Sequence, residues 1–242
     1  MSYISVCSSW AAMPAKLGEL NRLQSQGLYA TPRPKAIVSL YGMAGSLLTP
    51  FYLEVKTVRR RDNLCLPFAD GLLTFCILQE PFFWLTPTLL SDSDFMKYFK
   101  TPSTERLTST PLDSPRLDYY TWLLQKGLFI DVLTDQTGLT AHLRSLPAAD
   151  RAAGIPGSVR PMFPNLNVRK AFPPTFFIHG TADEAVPIEE SRTMLEACEK
   201  AGVVGCRLLE VPGGNHDFDY EKESKDVEGL DEVVPWLLKQ LG

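Results

Sequence analysis

The sequence predicts an α/β fold: a three-layer domain with a parallel sheet at its centre and helices inserted above it. Two observations carry the prediction. From residue 175 onward, strand and helix alternate over residues 175–178, 188–201, 206–211 and 227–241, and such alternation implies right-handed crossovers between parallel strands. Earlier in the chain, residues 35–42 (KAIVSLYG) form a nearly continuous apolar, β-branched run bounded by proline and glycine, the pattern of a strand buried on both faces.

In chain order, residues 16–29 (KLGELNRLQSQGLY) place Leu17, Leu20, Leu23 and Leu28 on one face, which predicts a helix ending near Gly27, with Pro32 and Pro34 stopping it. The strand at 35–42 follows. Residues 49–173 are irregular, with Pro81, Pro87 and Pro102 and a Ser/Thr/Pro-rich stretch at 101–115. Within them Leu117, Tyr120, Leu123, Leu124, Leu128 and Val132 recur at helical spacing, and a second short helix is expected over 139–146. Residues 50–172 are therefore read as a cap or insertion region within a single domain spanning residues 1–242. In the helix over 188–201, Ile188, Leu195, Cys198 and Ala201 share a face while Glu189, Glu190, Arg192 and Glu199 turn to water. The last helix carries a stripe of Val227, Leu230, Val234, Leu237 and Leu241, in which Pro235 predicts a kink or a restart.

A formal net charge of -4 leaves no electrostatic footprint for nucleic acid. The longest apolar run, residues 71–78, is flanked by Asp70 and Glu80 and falls well short of the roughly 20 residues of a membrane span. No basic residue precedes the mildly apolar start, so no secretory signal is expected and the location is cytoplasmic by default. Cys7, Cys65, Cys76, Cys198 and Cys206 are scattered, odd in number and without a C-x-x-C pair; they read as reduced thiols acting as small core side chains. The three histidines lack ligand spacing such as H-x-x-x-H, so a metal site is not expected.

Two segments put polar residues directly after buried strands, where open parallel sheets carry their sites. In residues 176–187 (FFIHGTADEAVP) a strand ends at His179-Gly180, a turn presents Asp183, and Pro187 opens the next helix. In residues 209–218 (LEVPGGNHDF) a glycine turn presents His216. One strand–helix–strand unit separates the two, so neighbouring strands would bring them together. An aspartate held there fixes an imidazole's tautomer and stabilises its cation. The plainer readings are a turn-capping Asp183 and a structural His216; His179 reads as a support of the turn and His142 as surface or cap packing.

The spaced set His179-Gly180, Asp183, Val186-Pro187 and Gly214-Asn215-His216 resembles the acid and histidine motifs of the α/β-hydrolase superfamily, in its esterase/lipase and prolyl-oligopeptidase-like branches. Residues 34–42 are similar to the strand that follows the nucleophile-bearing helix, which would begin the cap insertion at residue 43. The resemblance covers roughly residues 28–55 and 118–242 and implies the C-terminal part of a three-layer α/β-hydrolase-like sheet with a helical cap. It also implies Asp183 as the acid and His216 as the general base of a nucleophile–His–Asp mechanism acting on carboxylic esters, amides or peptides, with no cofactor.

No G-x-S-x-G elbow and no HGGG run occurs in the chain. The best substitute nucleophile is Ser9, in residues 4–12 (ISVCSSWAA), where Cys7 and Ala11 stand at the glycine positions. Residues 58–79 separate two pieces that the resemblance would join, and read as an abnormal insertion or as an apolar cap hairpin against an acyl group. The rival readings are a catalytically inactive remnant or binding protein, and a flavodoxin-like nucleotide binder, for which Gly42-Met-Ala-Gly45 is too short a phosphate loop. The expected partner is a small ester or peptide-like substrate, and an exposed sheet edge predicts self-association.

Overall fold

The computed structural model describes residues 4–6, 34–43, 45–56, 89–100, 116–216, 218–221 and 227–241. The expected helix at 16–29 and the segment 58–79 lie outside them. Among the described residues, strands β1 (Ile4–Val6), β2 (Ala36–Leu40), β3 (Thr175–Gly180) and β4 (Arg207–Val211) form one sheet in the order β1-β2-β3-β4. All three pairings are parallel, with Val6 opposite Val38, Val38 opposite Phe176 and Phe176 opposite Arg207. Every strand therefore ends on the same rim.

The two-residue period of β3 divides the core into layers. Phe176 and Ile178 face one side with Val38, Val211 and Trp236, and Phe177 faces the other with Met194 and Cys198. Helix α6 (Glu189–Lys200) lies between β3 and β4 in the chain and packs on the Phe177 side. Beyond the short α7 (Phe218–Glu221), helix α8 (Val233–Leu241) covers the opposite side, where the Trp236 ring meets Phe176 edge to face at 5.4 Å between centroids. Arg192 of α6 holds both carboxylate oxygens of Glu210 on β4 at 2.8 Å, a bidentate tie from helix to strand.

The last helix departs from the expected stripe. A 3-10 turn occupies Leu230–Glu232, and the α-helix begins only at Val233, which puts Pro235 in the first turn, where a missing amide hydrogen breaks no helical bond. The restart resets the phase. Trp236 goes inward while Val234 and Leu238 are 62% and 65% exposed.

Residues 49–173 contain more helix than their pattern announced. Helices α1 (Pro50–Leu53), α2 (Asp92–Lys100), α3 (Arg116–Lys126), α4 (Phe129–Thr134) and α5 (Leu139–Ser145) gather around Tyr52, Trp122, Ile130, Leu143 and Phe163, all fully buried. The stripe expected over residues 117–132 is two helices, divided where Gly127 adopts a left-handed φ of 58°. Asp131 of α4 accepts the amides of Gly138 and Thr140 and the Thr140 hydroxyl, each at 2.6 Å, and so satisfies the open N-terminus of α5 from a neighbouring helix. No helix among the described residues is long and apolar enough to cross a membrane.

Candidate active site

Strand β3 ends at Gly180 and β4 at Val211, paired with each other, and the loops that leave them are bound together by backbone. Thr181 donates to the Val211 carbonyl at 3.0 Å and Ala182 to the Gly214 carbonyl at 2.9 Å. The Thr181 hydroxyl accepts the Gly213 amide at 2.8 Å. The approach requires glycine at 180, because a Cβ there would stand inside the carbonyl group of Gly214.

The Asp183 side chain is wholly buried. Its Oδ1 accepts the amides of Ala185 and Val186 at 2.9 and 2.8 Å, an aspartate-centred turn that fixes the carboxylate's orientation. Its Oδ2 accepts from His216 Nδ1 at 2.8 Å. Burial pushes this carboxyl up, but the hydrogen bonds from His179 and His216, the positive charge of His216 and the Val186 amide outweigh it and hold the group below its ordinary value.

His179 lies beneath the turn with no exposed surface. Its Nε2 meets the Val186 carbonyl at 2.8 Å and Asp183 Oδ2 at 3.3 Å. Both are acceptors, so Nε2 carries the hydrogen, and Nδ1 takes the Ser191 hydroxyl at 2.7 Å as donor. His179 therefore braces the turn that orients Asp183. His142, in α5, is exposed.

Three further residues shape the rim, and the sequence reading gave none of them a role there. The Asn215 Oδ1 accepts both the Glu184 amide at 3.0 Å and the His216 amide at 2.7 Å, linking the acid loop to the histidine loop. Tyr41, just beyond β2, packs its ring 4.5 Å from that of His216 and donates from its hydroxyl to Asp219 at 3.1 Å. Its φ of 36° is unusual for a tyrosine, and such strain concentrates at functional sites.

The third residue corrects an expectation. Glu190 does not turn to water: it is 2% exposed, and its Oε2 accepts the Gly45 amide at 2.7 Å. The reason is tertiary. The loop after β2 crosses the start of α6 so closely that a Cβ on Gly45 would overlap the Glu190 backbone. Burial raises the Glu190 carboxyl to about 8, against the pull of the Gly45 amide and with a further push from Glu189.

Ser9 lies outside the described residues. Strand β1 ends at Val6 and runs parallel to β2, so Val6 stands on the rim that carries Asp183 and His216. Among the described residues no group of three potential metal ligands is present.

Helices on both faces of a parallel sheet, with an acid and then a histidine at the ends of adjacent strands, define a member of the α/β-hydrolase superfamily. Residues 117–242, just over half of the chain, match the prolyl oligopeptidase family, and the chain belongs to that family. Solved structures similar to parts of the chain include a truncated form of a carbohydrate esterase from gut microbiota, at 24% identity over 37% of this chain and 33% of that one, with a TM-score of 0.29. The thermophilic esterase Est2 of the planctomycete Thermogutta terrifontis is similar in its native form at 27% identity, over 39% of this chain and 34% of that one, TM-score 0.31. Its butyrate-bound form matches at 27% identity over 40% and 37%, TM-score 0.32. The chain thus spans about a third of the length of each of these structures.

Proposed function

We propose that the protein hydrolyses carboxylic esters or amides, including peptide-like substrates, by acyl transfer, with Ser9 as nucleophile, His216 as general base and Asp183 as the acid that orients it. One observation carries the reading: His216 Nδ1 sits 2.8 Å from the buried carboxylate of Asp183. A neutral imidazole bonded this way has its hydrogen on Nδ1, which leaves Nε2 to accept a proton from a hydroxyl. The Ser9 hydroxyl loses that proton as its oxygen attacks the carbonyl, the imidazolium is stabilised by Asp183, and the proton passes to the leaving group. The parallel course of β1 beside β2 supports Ser9 as the nucleophile, since Val6, three positions before it, ends its strand on the same rim as Asp183 and His216. In this reading the described helices α1 to α5 belong to a cap over that rim.

Labelling with a fluorophosphonate probe tests the proposal. The wild type should label, and both Ser9→Ala and His216→Ala should abolish the signal. A folded wild-type chain that never labels overturns it and leaves a non-catalytic member of the family. We also propose self-association through the outer strands of the sheet, because an unpaired strand edge is a template for another chain. Sedimentation velocity should show dimers or larger species, and a monodisperse monomer refutes this part.

A further inference from the structure

We propose that Cys198 and Cys206 are a redox-active pair, a modification site that closes to an intramolecular disulfide by exchange with a low-molecular-weight disulfide. Cys198 occupies the last turn of α6 with no exposed surface, and Cys206 immediately precedes β4 with its side chain partly open to solvent. The chain between them doubles back. Gly202 takes a left-handed φ of 73°, and the Val203 amide donates to the Cys198 carbonyl at 2.9 Å. This turn packs both cysteines into one apolar cluster with Phe177, Met194 and Val203, where each thiol is the foremost influence on the other's ionisation.

Their surroundings give the thiols different roles. Cys206 Sγ accepts the Thr175 amide at 3.4 Å, a donor that favours the thiolate. The hydrogen bond from Cys198 is the largest influence holding the Cys206 thiol below its usual range, and the Thr175 amide adds to it, while burial and the nearby Glu199 oppose it. The same bond, with burial, pushes the Cys198 thiol up. Cys206 is therefore the attacking sulfur and Cys198 the resolving one.

The step balances as a double exchange. The Cys206 thiolate attacks one sulfur of oxidised glutathione, forming a mixed disulfide and releasing one glutathione thiolate. The Cys198 thiol then gives up its proton and attacks the Cys206 sulfur, expelling the second glutathione. Two protein thiols are oxidised and one small disulfide is reduced to two thiols. The pair lies at the starts of β3 and β4, at the end of the sheet opposite Asp183 and His216. Its chemistry is accordingly independent of the hydrolytic reading.

The test treats the full chain with oxidised glutathione under native conditions, blocks remaining thiols with iodoacetamide, and digests with trypsin. Cleavage after Arg192, Lys200 and Arg207 separates the cysteines into TMLEACEK and AGVVGCR. We expect these two peptides joined by a disulfide, and released by dithiothreitol. Recovery of both peptides alkylated, of AGVVGCR as a lasting glutathione adduct, or of Cys206 joined to another cysteine overturns the proposal. In Cys198→Ser, exchange should stop at the Cys206–glutathione adduct; its absence from a folded variant overturns the assignment of Cys206 as the attacking thiol.

Discussion

Replacing Glu190 by Gln should make the protein more stable, and only above mildly acidic pH. The folded chain holds this carboxyl at about 8, against an ordinary value of 4.5. At about 1.4 kcal/mol per pKa unit, the rise corresponds to roughly 5 kcal/mol between the two protonation states. The sign follows from where the proton sits. Between about pH 4.5 and 8 the unfolded chain releases the proton while the folded chain retains it, so stability falls as pH rises and levels off once the folded carboxyl ionises. Glutamine keeps the shape, stays neutral and still offers an oxygen to the Gly45 amide. The groups around it, Tyr52, Tyr120 and Glu189, are unchanged by the substitution. We expect wild type and Glu190→Gln to unfold alike in urea near pH 5, and the variant to be more stable by about 3 to 5 kcal/mol at pH 9, a large share of the roughly 5 to 15 kcal/mol that stabilises a typical domain. Fluorescence of the buried Trp122 and Trp236 reports the transition. A stability difference that stays constant from pH 5 to 9 would refute the reasoning.

Asp183→Asn should act in the opposite pH range. A carboxyl held below its ordinary value contributes stability above that value and loses it as pH falls through the folded pKa, so the variant's acid limb should flatten in a urea series from pH 6 to 3. The same change should slow fluorophosphonate labelling by about 10³- to 10⁴-fold, since the His216 tautomer is no longer fixed. Gly180→Ala should cost about 3 kcal/mol or more, because the new methyl meets the Gly214 carbonyl in backbone that cannot give way; unchanged urea midpoints would contradict the close approach.

The sheet, and the two residues at its rim, were legible because their signals are local. The apolar runs of β2 and β3 exclude other readings, Pro187 marks the start of α6, and each polar residue stands directly after its strand. Among residues 49–173, α3, α4 and α5 were announced by their spacing, whereas α1 and α2 escaped notice because their order is tertiary. Trp122 and Phe163 are buried by one another's neighbourhood rather than by a strong periodic stripe. Glu190 and Asn215 were missed for the same reason: their partners Gly45 and Glu184 lie far away in the chain, and periodicity read along one helix cannot register a loop that crosses it. Pro235 announced an interruption correctly, but the new phase of α8, with Trp236 inward, depends on the sheet beneath it.

The double hydrogen bond of Asn215 makes the acid turn and the histidine turn one mechanical body. The hydrogen bonds that align the imidazole, and the supports behind them at His179, Ser191 and the Gly180–Gly214 contact, come from residues 175–216. Such a cassette keeps its alignment while the segments around it drift, are exchanged or are rebuilt. Selection can therefore alter what enters the site without first relearning how to hold a histidine.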